Sequence, residues 1–150
     1  MVHWLTVAMA TVSSSAVEAI EKRYIPSNAA IVMNADRRLF VAKEKVKQLH
    51  RDGYLPPPKR PFTALGRPAA STFKAGAYNM LVGQFISEYD YFLANKLAHA
   101  MTGGDLSAPT LVTEEYMLNV ERETFLSLLG EKKTHERIES ILKYNKPLRN

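Results

Sequence analysis

The chain has no cysteine, which excludes a disulfide, a thiolate zinc site and a cysteine nucleophile together. That absence fits a reducing cytoplasm. Glycine is scarce, at seven in 150 residues, and those seven form neither a GxGxxG turn nor a Walker loop, so neither standard phosphate cradle is present. No serine sits in a GxSxG elbow. Long apolar runs are also missing. Nothing approaches the roughly 20 residues of a membrane helix, and no membrane span is expected. The apolar start Val2–Val12 has no basic flank and lies in a longer amphipathic pattern, so it does not read as a signal peptide.

What remains is the composition of a folded soluble domain, 46% hydrophobic and 23% charged. A net charge of +5 and a pI near 9.5 favour anionic partners such as nucleic acid, an acidic surface or a phosphorylated coenzyme.

The pattern along the chain is mainly helical, with at most one or two short strands. An apolar helix over Val2–Met9 is followed by a short one over Ala16–Lys22, capped from Ser13–Ser15. Ala29–Met33 is the best strand candidate. From Asn34 or Asp36 to Asp52 the residues Leu39, Ala42, Val46 and Leu49 recur at helical spacing, opposite Arg38, Lys43, Lys45 and Lys47, with Gly53 as the stop. Pro56-Pro57-Pro58 then breaks the helix. Residues 1–53 thus read as an N-terminal helical segment, 54–68 as a proline-rich linker and 69–150 as a helical C-terminal subdomain. Within the last, a helix from about Ala70 to Gly83 carries Phe73, Ala77, Met80 and Leu81. A capping box at Ser87–Asp90 opens a helix with Tyr89, Leu93, Leu97 and Met101 on one face. Thr113 caps a helix whose Met117, Val120, Phe125, Leu128 and Leu129 point inward, and Thr134 begins the last, which ends at Pro147.

No catalytic constellation emerges. His3, His50, His99 and His135 are isolated in sequence, and no metal site is expected. Glu88, Asp90, Glu114 and Glu115 sit where helix N-termini favour acids, and Glu88 and Asp90 are two apart, which does not bring them face to face. Gly103-Gly104-Asp105 reads as a turn. Arg37, Arg38, Lys43, Lys45, Lys47 and Arg51 could follow phosphates, but aromatic residues are not interleaved with them, so no nucleic-acid partner is expected.

The run Leu111–Lys143 resembles the end of a crotonase-type domain (the enoyl-CoA hydratase/isomerase family), through Glu121-x-x-x-Phe125 and a second helix ending in basic residues. The close, Lys146–Asn150, resembles the terminus of bacterial 3-hydroxyacyl-CoA dehydrogenases that carry such a domain. Ile31–Leu39, Phe85–Asp90 and Thr102–Leu106 extend that likeness, and Ser15-Ala16 with Glu18-Ala19 resembles the stretch just after the catalytic region. Lys22-Arg23 and the alanines before Ile31 depart from the family pattern.

The resemblance implies the helical C-terminal subdomain of a crotonase-like fold, starting downstream of the oxyanion-hole loops. It implies no catalytic residue and no cofactor in this chain, with acyl-CoA and NAD used by the parent β-oxidation enzyme. It further implies a CoA thioester partner at Phe125 and Lys143, with Lys146 as the alternative cation, and a homo-oligomer. The competing expectation is a free-standing helical module that binds an anionic partner through its basic helix.

Overall fold

The computed structural model describes residues 2–150, with side chains from Trp4 onward. His3 therefore has its side chain outside the described residues. Among the described residues there are seven α-helices, one 3-10 turn and two three-residue strands, so the mainly helical expectation holds. The chain divides into two compact units, one made of Met1–Thr11 with Arg60–Asn150 and one of Val12–Lys59.

In the first unit, α1 (Val2–Ala8) is followed after residue 59 by β1 (Phe62–Ala64), α4 (Gly66–Val82), α5 (Glu88–Thr102), β2 (Thr110–Val112), α6 (Glu114–Leu129) and α7 (Lys132–Tyr144). The strands pair antiparallel, Phe62 opposite Val112 and Ala64 opposite Thr110, and tie the starts of α4 and α6 together. The most extensive packing is between α4 and α5. Its buried faces are built of small residues, Ala70 and Ala77 on α4 with Ala94 and Ala98 on α5. Small side chains let two helix backbones approach closely, which lowers the interaxial distance. Trp4 of α1 packs against this pair, 3% exposed and stacked on Phe73 with ring centroids 5.3 Å apart. Thr102, also buried, satisfies its hydroxyl on the Ala98 carbonyl at 2.8 Å.

The expected caps form. Ser87 accepts the Asp90 N–H, and Asp90 in return accepts the Ser87 N–H. Thr113 accepts the Tyr116 N–H. Gly103 ends α5 in the left-handed conformation, at φ +91. Thr134 does not start the last helix; Glu131 precedes it and the helix opens at Lys132. Similarly α4 begins at Gly66, four residues ahead of the expected Ala70, with Pro68 in its first turn where its missing N–H is harmless.

In the second unit, α2 (Ala16–Glu21) is capped by Ser15, and Glu18 accepts hydrogen bonds from Lys22 and Ser14. Those bonds hold its carboxyl down at about 2. A 3-10 turn (Ala35–Arg37) capped by Asn34 leads into α3 (Arg38–Arg51), and Gly53 follows at φ +68. The strand expected at Ala29–Met33 does not form. The reason is the one the composition suggests: a strand needs a partner edge, and this unit offers none. The two strands that do form lie elsewhere, β1 within residues expected to be linker.

Candidate functional site

Two adjoining grooves lie on the first unit. The polar one, of about 410 Å³, runs between α4, α5 and α6 and presents Lys74, Asn95, Lys96, His99, Glu123 and Ser127. The apolar one, of about 370 Å³, lies between α1, α5 and α6. It is walled by Val7, Leu93, Leu97, Phe125 and Leu128. Lys96 and Thr124 belong to both, so a cation stands where the apolar slot opens into the polar one.

The local order of α5 creates this arrangement. Phe92, Lys96 and His99 are four and three residues apart and share a face. The Lys96 ammonium lies 5.6 Å from the Phe92 ring centroid and donates to Ser127 Oγ at 2.9 Å. Asn95 donates from Nδ2 to the Tyr91 carbonyl, and its buried Oδ1 accepts no hydrogen bond from the described residues. His99 Nδ1 is 3.8 Å from an Asp105 carboxylate oxygen that is itself exposed. Pocket, cation, hydroxyls and aromatic edge suit an anion with an apolar part. Among the described residues no group of three His, Asp or Glu side chains could hold a metal ion, and no helix is long and apolar enough to cross a membrane.

The residues singled out from sequence are not assembled in one place. Phe125 is half exposed, at 53%, on the wall of the apolar groove. The expectation that it points into a core is corrected: α6 buries Val120 and leaves Phe125 at the groove. Lys143, in the last turn of α7, is ion-paired to Glu139 one turn back, and that hydrogen bond holds the Glu139 carboxyl below its usual range. Lys146 follows the helix, and its carbonyl accepts from Ser140. Neither lysine lines the groove that Phe125 lines. The cation there is Lys96, which sequence reasoning passed over because it sits beside the apolar stripe of α5 and belongs to no motif. Its spacing to Phe92 and His99 was the available signal.

A second polar centre lies at the start of α5. Asp90 Oδ1 accepts from Arg137 at 2.7 Å and from Arg149 at 3.0 Å. Arg137 also donates from Nε to Asn150 Oδ1 at 2.8 Å and stands over the Tyr89 ring, 5.0 Å from its centroid. Burial pushes the Asp90 carboxyl up. Hydrogen bonds from Arg137, the Ser87 backbone and Arg149 outweigh that and hold it below the usual carboxylate range. This centre fastens α5 to α7 and the chain end, and it leaves no oxygen for chemistry. Asp90 is more than the capping acid that its sequence position alone implies.

A probable 3-hydroxyacyl-CoA dehydrogenase from Bacillus subtilis (strain 168) is 41% identical to the chain over 145 residues. The chain resembles part of a dehydrogenase. The match takes in 97% of this chain but 18% of that protein, in its C-terminal part. No family model and no solved structure matches. The crotonase-type resemblance is accordingly corrected: the relative is a dehydrogenase, and nothing found links the chain to enoyl-CoA hydratases. Glu121-x-x-x-Phe125 is an i, i+4 pair that any amphipathic helix can carry, which is why it misleads.

Proposed function

We propose that this chain is a helical, non-catalytic part of a cytoplasmic 3-hydroxyacyl-CoA dehydrogenase of fatty-acid oxidation, and that it adds assembly surface and a binding surface for CoA. The similarity to the Bacillus dehydrogenase over nearly the whole chain carries the first half of this reading. The apolar groove carries the second: Phe125 offers a half-exposed ring to a planar base, and Lys96 stands at its mouth for a phosphate. Lys143 and Lys146 are the further cations, Lys143 at the expense of its bond to Glu139. NAD and the acyl chain belong to the rest of such an enzyme.

Assembly is supported by the apolar residues that α6 and α7 leave uncovered, among them Leu126 at 57% and Leu142 at 81% exposed.

The test is a calorimetric titration of the chain with CoA, beside Phe125→Ala and the pair Lys143→Ala, Lys146→Ala. Saturable binding is expected, weakened about tenfold or more by loss of the ring, since a buried aromatic contact contributes about 1.5–3 kcal/mol. An unchanged isotherm in Phe125→Ala would remove the groove from the reading. No heat with any of the three would remove CoA.

A further inference from the structure

Helix α3 lines neither groove. It is fourteen residues long and buries none of them. In its own unit its packing is against the 3-10 turn at its start. Leu39 is 71% exposed and Val46 65%. At 3.6 residues per turn, Leu39, Ala42, Val46 and Leu49 fall within an arc of about 80°. Arg38 and Lys45 run along one edge of that arc, and Lys43 and Lys47 along the other. The helix carries Arg38, Lys43, Lys45, Lys47 and Arg51 against the single acid Glu44. Just beyond its end, Tyr54 and Leu55 are also exposed.

We propose that α3 is an interfacial helix that lies on an anionic lipid surface, its apolar arc in the acyl boundary and its flanking cations on the lipid phosphates. The arrangement of charge selects this occupant. Lysine and arginine stems on both edges of a narrow apolar arc reach up to headgroups while covering the hydrocarbon margin. A nucleic-acid backbone would use the cations and gain nothing from Leu39 and Val46. Tyr54 adds the ring with one wet end that suits the headgroup level. Such binding needs no contribution from the grooves, so it stands or falls apart from the CoA reading.

Co-sedimentation of the whole chain with vesicles tests it. Vesicles of phosphatidylglycerol and phosphatidylcholine in equal parts are expected to carry the chain down at low salt. Phosphatidylcholine alone is expected to do so at least tenfold less. Lys43→Gln with Lys45→Gln takes one cation from each edge and is expected to weaken binding about thirtyfold, at the roughly fivefold per basic residue of an anionic surface. Leu39→Gln with Val46→Gln keeps helix-compatible side chains and every charge, and is expected to weaken vesicle binding more than tenfold while leaving any binding to duplex DNA unchanged. Vesicle binding indifferent to the Leu39, Val46 pair would reduce α3 to a polycation and overturn the proposal. So would failure of the wild-type chain to bind anionic vesicles at low salt.

Discussion

Gly66 opens α4 at φ +67, and a β-carbon built on it would lie 2.5 Å from the Leu106 carbonyl oxygen. The same turn is held by the Arg67 N–H donating to that oxygen at 2.8 Å, so the obstruction is backbone that cannot step aside. Gly53 has almost the same φ, +68, with nothing within 4 Å. Alanine at both positions separates two costs. Gly53→Ala should lose about 1 kcal/mol for left-handed strain. Gly66→Ala should lose at least about 3 kcal/mol, because overpacking adds to strain. Denaturant titration of each variant checks the pair, and equal losses would mean the Leu106 loop yields. Asp90 makes a second prediction. Its carboxyl is held low in the fold, so its contribution is complete once the unfolded carboxyl is ionised, above about pH 4 to 5. It disappears as pH falls through the lower folded value. Asp90→Asn leaves Arg137 half-satisfied in a site where that side chain is 15% exposed, and should cost about 3 kcal/mol at neutral pH. The gap between wild type and variant should begin to narrow once pH falls below the range of the unfolded carboxyl, and go on narrowing as it falls through the lower folded value. A gap that does not narrow on acidification would show that the cap at Ser87, and not the charge, was lost.

The helices and their ends were largely legible, because capping is local chemistry. Ser15, Ser87, Thr113, Gly53 and Gly103 each act through bonds to neighbours within a few residues, and each stands where sequence places it. Burial was less legible. On α5 the sequence places Tyr89, Leu93, Leu97 and Met101 on one face. Of that stripe only Tyr89 is buried, and the rest of the buried face is Ala94, Ala98 and Thr102, since the main partner, α4, presents alanines of its own. Periodicity marks which residues share a face and is silent on which neighbour will cover it. That is also why α3 shows a correct stripe with no core beneath it, and why Phe125 proves to be a groove wall. The ribbon of β1 and β2 was invisible for another reason: three residues are too few to display a period of two, and the proline run masked the first strand. Lys96 escaped because a groove is made by three helices at once, and no stretch of one helix encodes it.

At the scale of the whole molecule the two units differ in what holds them. The first buries Trp4, the alanine seam and Thr102, while the second buries Ala19 alone. A helix of α3's length without tertiary packing is marginal in water. Unfolding should therefore not be two-state. Trp4 is the single tryptophan and reports only the first unit, whereas helical circular dichroism reports both. The circular dichroism signal should begin to fall at lower denaturant than the fluorescence, and coincident curves would show the units to be one cooperative body. The first unit is also discontinuous in sequence, since the chain supplies α1, leaves it for Val12–Lys59, and returns. During synthesis Trp4 thus emerges long before Phe73 and Ala94 exist to cover it. The tryptophan of the core is, for that interval, a sticky ring left uncovered on the nascent chain, and the last seam of the first unit closes only when a loop spanning the entire second unit has been drawn shut.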